Sequence, residues 1–303
     1  MRVGFTLPQF GTLAHQAGQV TRFAREAERL GADSLWVGDR LLAPAEPTVG
    51  YAGGATIPRS FHSVLDPFAL LAAAAAVTGR VELGSGVLNA PWYPPVALAR
   101  SLTSIDQLSD GRLLVGFGTG WSPEEYRAAG VPMRERGARL EECLEVLDAF
   151  WSAEPGVPVR HRGRFWDVPP THVALWPARR PRPPVYLAGS APAATRRVAL
   201  RADGWLPVVT VPGDVDPAAA IGEPLRRIRA EAERAGRDPA SLGAVLRVVP
   251  LPGATLRDVV DFLARARDEA GIDHACVELG SPAENVDQAL DLCQRLLEMT
   301  RAS

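Results

Sequence analysis

The residues best placed to do chemistry lie where apolar runs give way to helix starts. The richest junction is Val115-Gly116-Phe117-Gly118-Thr119-Gly120-Trp121-Ser122-Pro123-Glu124-Glu125-Tyr126. A strand pattern, Leu113 to Phe117, ends in alternating glycines and one indole. Ser122 then reads as an N-cap, Pro123 as the first helical residue, and Glu125 as the closing member of a capping box. The spacing G-x-G-x-G-W is not the dinucleotide spacing G-x-G-x-x-G, and two glutamates already oppose the helix dipole. Gly118, Thr119, Gly120 and Trp121 are therefore expected to face a flat, largely uncharged ring system. The better anion site is Ala188-Gly189-Ser190-Ala191-Pro192. Its helix start carries no acid, and Arg196 and Arg197 follow, so free N–H groups and an unopposed dipole suit a phosphate.

Other strand ends add small polar groups: Pro8-Gln9-Phe10, Gly38-Asp39-Arg40, and Gly84-Ser85-Gly86-Val87-Leu88-Asn89, with Pro207, Arg247 and Glu278 further on. Asp39-Arg40 is the strongest polar pair, readable as catalytic or as a structural ion pair. His62 and Tyr51 lie in a long loop of the kind that forms active-site lids. His62 is the third catalytic candidate beside Asp39 and Arg40. Trp92 and Tyr93 either line a pocket or staple the helix that follows. The set is poor in nucleophile–base pairs and suits a cradle for a bulky planar cofactor, with Gln9, Asp39, Arg40, Ser85, Gly86, Val87 and Asn89 among its contacts.

Strand and helix patterns alternate throughout and must position these groups. The strands are Val3–Leu7, Ser34–Val37, Val81–Leu88, Leu113–Phe117, Val185–Leu187, Gly204–Val209, Ala244–Val249 and Ala275–Leu279. Helical spacing follows each, including Pro67–Val77 and Pro95–Leu108. Eight alternations predict an α/β fold, a (β/α)8 TIM barrel forming one domain over residues 1–303. A doubly wound open sheet is the alternative architecture. The two long excursions, Leu41–Asp66 and Glu154–Pro184, are insertions after the second and fourth strands. Val159 to Asp167 reads as a β-hairpin.

Composition narrows the function. Every one of the 33 basic residues is arginine. Without lysine there is no Schiff-base chemistry and no Walker lysine. A net charge of −2 argues against nucleic acid, and no apolar run is long enough to span a membrane. The five histidines are scattered without metal-ligand spacing, so no metal is expected. Cys143, Cys276 and Cys293 lie in apolar periodic contexts and read as buried thiols, consistent with a reducing cytoplasm. The chain enters a strand almost at once, which predicts no signal peptide and a cytoplasmic protein.

Together these motifs resemble the luciferase-like monooxygenase superfamily, most of all its branch of coenzyme F420-dependent oxidoreductases. The resemblance rests on Gly31 to Asp39, Val81 to Leu88, Leu108-Ser109-Asp110-Gly111-Arg112-Leu113, Gly116 to Tyr126, Ala188-Gly189-Ser190, and Asp203 to Pro207. It implies a flavin or deazaflavin lying across the strand ends, F420 first and FMN as the alternative. It implies a small-molecule substrate, a homodimer, and a cis non-proline peptide at Gly86-Val87 or one bond earlier. One position departs from the pattern. F420-using relatives commonly carry Asp-His where this chain has Asp39-Arg40, and arginine cannot shuttle a proton near neutrality. Arg40 is thus expected to act by charge, holding a reduced flavin or an anionic substrate. The activity implied is F420-dependent hydride transfer. A reduced-FMN monooxygenase using O2 and a non-catalytic flavin-binding barrel are the alternatives.

Overall fold

The computed structural model describes residues 1–51, 54–280 and 283–302. In chain order its strands are β1 Arg2–Thr6, β2 Ser34–Val37, β3 Glu82–Ser85, β4 Leu88–Asn89, β5 Leu113–Gly118, β6 Val159–Arg162, β7 Asp167–Thr171, β8 Val185–Ala188, β9 Gly204–Leu206, β10 Val208–Val211, β11 Gly243–Ala244, β12 Leu246–Pro250 and β13 His274–Val277. The α-helices are α1 Val20–Leu30, α2 Pro67–Ala75, α3 Pro95–Leu108, α4 Pro123–Ala128, α5 Arg136–Trp151, α6 Pro192–Arg201, α7 Glu223–Arg234, α8 Leu256–Ala270 and α9 Val286–Arg301.

Parallel pairing runs β12–β13–β1–β2–β3–β5–β8–β9. β9 and β10 are two halves of one strand parted at Pro207, where no N–H is available to the ladder. β11 and β12 are likewise two halves of their neighbour. Gly204 pairs with Gly243 and Val208 with Arg247. Across the breaks, the Val245 N–H donates to the Trp205 carbonyl at 3.0 Å and the Arg247 N–H to that of Pro207 at 2.9 Å. The ring of parallel strands is therefore closed, and the expected TIM barrel is the fold. The insertion after the fourth barrel strand carries the antiparallel hairpin β6–β7, as expected.

Two cores hold the barrel. The larger lies between strands and helices and includes Phe5, Leu35, Leu83, Phe117, Leu144 and Val248. The smaller lies inside the barrel, where Trp36, Leu114, Leu206, Val245 and Cys276 meet. Period-2 alternation sends one set of each strand's side chains to each core. Glycine makes room for the large interior rings. A Cβ on Gly84 would lie 2.3 Å from the Trp36 indole, and one on Gly204 2.3 Å from the Tyr186 ring. Below them, Ser34 Oγ accepts from Trp36 Nε1 at 2.8 Å and meets His274 Nε2 at 2.7 Å. Burial, helped by Arg2, pushes the His274 imidazole down to about 3, so it is neutral.

The third strand departs from the continuous run expected over Val81–Leu88. It leaves the ladder after Ser85, passes through a cis peptide at Gly86-Val87, and resumes as β4. The fourth barrel strand, β5, accommodates this bulge: Ser85 Oγ donates to the Gly116 carbonyl at 2.9 Å and accepts from the Gly116 N–H at 2.9 Å. A 3-10 segment at Gly11–Gln19 precedes α1 and was not evident in the apolar spacing. The three cysteines are buried and free, and burial raises each thiol, Cys143 to about 12. Among the described residues no helix is long and apolar enough to cross a membrane, and no cluster of metal-ligating side chains occurs.

Candidate active site

The C-terminal ends of the strands bring Gly38, Asp39, Arg40, Val87, Gly118, Ala188, Arg247 and Glu278 to one mouth. The bulge forms its floor. A Cβ on Gly118 would fall 2.5 Å from Val87 Cγ2, so only glycine lets the valine project there. Gly120 has φ 65°, which glycine adopts freely, and a Cβ there would meet Asn89 Oδ1 at 3.1 Å.

Arg40 and Asp39 do not pair with each other, contrary to the ion-pair reading of that dipeptide. Arg40 instead meets Glu125, with Nη1 3.2 Å from Oε2 and side chains 6% and 0% exposed. The guanidinium is roofed by aromatics, its carbon 4.6 Å from the Trp121 ring centroid and 5.0 Å from that of Phe61. Tyr51 packs on both rings, 5.0 Å from Phe61 and 5.7 Å from Trp121. The loop after the second strand thus folds over the mouth, as its length and aromatics suggested.

Glu125 also corrects the capping-box expectation. Ser122 Oγ does accept from the Glu125 N–H, at a long 3.4 Å. The Glu125 carboxylate does not return to Ser122; its Oε1 accepts from the N–H of Leu41 at 2.8 Å and of Leu42 at 3.4 Å. Neighbouring Glu124 accepts from the Thr48 N–H at 2.9 Å. Two adjacent glutamates therefore strap the 41–48 segment to the Gly-rich turn. Hydrogen bonds from Thr48 hold the Glu124 carboxyl down to about 2, whereas burial raises that of Glu125 against the pull of Arg40.

Asp39 faces the other way. Asn89 N–H donates to its Oδ2 at 2.8 Å, and the Tyr93 hydroxyl lies 3.0 Å from each carboxylate oxygen. Tyr93 is thus a site residue, and Asn89 ties Asp39 to the bulge. Burial pushes the Asp39 carboxyl up to about 6; the Asn89 and Tyr93 hydrogen bonds oppose this, and Glu125 and Asp66 add repulsion. The sign of the consequence is fixed. Unfolded, this carboxyl titrates near 3.9, so the folded chain holds the proton more tightly and loses stability as pH rises through about 4–6. An Asp39→Asn variant keeps an acceptor for Asn89 and lacks that loss. Urea denaturation is expected to show its stability gaining on the parent by about 1–3 kcal/mol between pH 4.5 and 7. A difference independent of pH would contradict this.

Gln9 proves to be a staple. Its amide oxygen accepts from the Gly38 N–H at 2.7 Å, and its Nε2 donates to the carbonyls of Gly38 at 2.8 Å and Leu65 at 2.9 Å. It is buried, and its polar groups are committed to positioning the second strand end, not to a ligand. His62 is exposed on the 3-10 turn Arg59–His62 and makes none of the site's polar contacts; its neighbour Phe61 enters the cage instead. Trp92 packs edge-on against Tyr126 of α4, not against the helix that follows it. Arg247 and Glu278 form an ion pair within the mouth.

The proposed anion site has the expected form. Ala191 caps α6 without a side-chain bond, the first turn carries no acid, and residues 189–193 are exposed. Gly189 has φ 122° and its carbonyl accepts from Trp205 Nε1 at 3.0 Å. Arg197 is already engaged, its Nε 2.6 Å from Glu141, while Arg196 is exposed.

The fold is thus a closed parallel barrel with a strand-three bulge, an aromatic loop over its mouth and an acid-free helix start beside it. The family model for luciferase-like monooxygenases matches residues 1–299, and the chain belongs to that family. An uncharacterised protein of Mycobacterium tuberculosis is 32% identical over 278 residues, 90% of each chain. Among solved structures, the monooxygenase RslO1 from Streptomyces bottropensis superposes with a TM-score of 0.79 at 22% identity, covering 100% of this chain and 99% of that one. An F420-dependent secondary alcohol dehydrogenase, solved with an F420-acetone adduct, gives 0.76 at 17% identity, with 99% of each covered.

Proposed function

We propose that this oxidoreductase binds a flavin-type cofactor across the barrel mouth and transfers hydride between it and a small organic substrate, with F420 as the cofactor. The observation that carries the reading is the Val87 side chain projecting at the mouth where Gly118 leaves room for it, beside an acid-free helix start. Val87, Gly118, Thr119 and Gly120 would hold the ring. Gly189, Ser190 and the N–H groups opening α6 would hold its phosphate. When bound, the cofactor supplies the hydride chemistry. The chain's own part is to place the ring, cover it with Tyr51, Phe61 and Trp121, and fix a cation and a carboxyl at its rim. The likeness to an F420-dependent alcohol dehydrogenase supports this reading.

A second reading, reduced FMN with O2, is favoured by one observation. Arg40 offers a permanent charge and no transferable proton; the fold likeness to a monooxygenase, at a TM-score of 0.79 against 0.76, is compatible with it. The two readings differ in turnover. Under anaerobic conditions, reduced F420 is expected to be oxidised by members of a panel of ketones and aldehydes. Turnover only with reduced FMN and O2 would replace the first reading with the second.

The phosphate assignment has its own test. Ser190→Glu places a carboxylate at the α6 start and is expected to weaken cofactor binding by at least about tenfold, or 1.4 kcal/mol. Ser190→Ala is expected to cost about threefold or less. Equal effects of the two would refute an anion at that end.

A further inference from the structure

We propose that Arg40 is a substrate- or cofactor-contacting residue whose Nε–H donates a hydrogen bond to a neutral carbonyl oxygen. This deepens the hydride-transfer reading and rests on it for the place of the ring. The guanidinium is held from several sides. Its faces are covered by Trp121 and Phe61, its Nη1 faces Glu125, and its Nη2 donates to the Leu42 carbonyl at 3.3 Å. Nε is buried and has no acceptor among the described residues. The side chain is only 6% exposed. A buried N–H without an acceptor is costly, and an acceptor brought by a bound ligand removes that cost. Arg40 follows the second barrel strand directly, at the rim of the mouth.

Charge decides what the acceptor is. Arg40 and Glu125 already sum to zero, and Arg247 and Glu278 do the same across the mouth. Asp39 adds a negative charge whenever it ionises. A carboxylate brought to Arg40 would be an uncompensated buried anion beside two acids, which low polarity penalises heavily. A carbonyl oxygen accepts the same hydrogen bond without that penalty. The aromatic roof favours a planar bearer. This revises the expectation that Arg40 holds an anion. The oxygen has two possible bearers, a conjugated carbonyl substrate or a carbonyl of the cofactor ring.

The test reads the Arg40 Nε–H resonance of full-length protein labelled with 15N-arginine. It is assigned by its loss in Arg40→Lys, whose fold is checked by circular dichroism. Probes are acetophenone, benzoate, F420 and FMN, with cofactor binding followed separately by fluorescence. The resonance is expected to shift with acetophenone or with a ring cofactor, and to stay in place with benzoate. A shift with cofactor alone makes the oxygen the cofactor's; a shift with acetophenone makes it the substrate's. Glu125→Gln removes the compensating charge and is expected to tighten benzoate binding by at least about tenfold. If cofactor binds and no probe moves the resonance, this inference fails and the hydride-transfer reading stands. If neither cofactor binds while acetophenone moves it, the reading fails and the inference stands. Benzoate shifting the wild-type resonance as far as acetophenone overturns the neutral-oxygen assignment.

Discussion

A Glu125→Ala variant is expected to lose about 3–5 kcal/mol of folding stability, the range for removing one partner of a buried ion pair. Three groups are stranded at once. Arg40 keeps a buried charge with no counter-ion, and the N–H groups of Leu41 and Leu42 lose their shared acceptor. The strap between the 41–48 segment and the Gly-rich turn is then held by Thr48 and Glu124 alone. Chemical denaturation of parent and variant measures the loss directly. Glu125→Gln keeps an acceptor for Leu41 and should retain part of the stability. A Glu125→Ala cost under about 1 kcal/mol would mean the pair is not buried as described.

Gly116→Ala is expected to be comparably severe, costing about 3 kcal/mol or more, or preventing accumulation of folded protein. A Cβ there would lie 1.8 Å from the Ser85 carbonyl oxygen and 2.7 Å from Leu206 Cδ1. The first contact is with backbone, which no rotamer change relieves. Ser85 and Gly116 also exchange two hydrogen bonds, so parting them costs those as well. Gly79→Ala is the control, since a Cβ there has nothing within 4 Å. It is expected to change stability by about 0.5 kcal/mol or less. Equal tolerance of the two substitutions would show that the third and fourth barrel strands do not touch at the bulge.

Much of this was legible because local patterns and the fold agree. Ser34–Val37 and Pro95–Leu108 have the bounds their sequences indicate, and Ser122 and Pro123 open α4 as read. The hairpin lies where the chain indicates it, and the cis peptide at Gly86-Val87 where the family resemblance implied it, although the residue pattern alone indicated an unbroken strand. What escaped was tertiary pairing hidden by a sufficient local explanation. Glu125 sits at the capping-box position, so nothing nearby suggested a partner 85 positions earlier in the chain, yet that partner is Arg40. Phe61 lies in a loop without periodicity, and only chain closure puts its ring on the guanidinium. Gly84 looked like part of a ligand-facing strand end, and Gly204 like the plain start of a strand. Their work is to admit Trp36 and Tyr186, a demand set by neighbouring strands. His62 drew notice as a titratable group, but a residue type alone does not fix the direction of its side chain.

The central claim is that the mouth takes a flavin-type ring anchored through the start of α6. Fluorescence titration of the purified full chain with F420 and with FMN tests it most directly, carried out in parallel on Ser190→Glu. The predicted result is saturable one-to-one binding of at least one of the two, with F420 the tighter, weakened by at least about tenfold in the variant. Binding of neither cofactor at concentrations up to about 1 mM, where affinity would be worth less than about 4 kcal/mol, would contradict it.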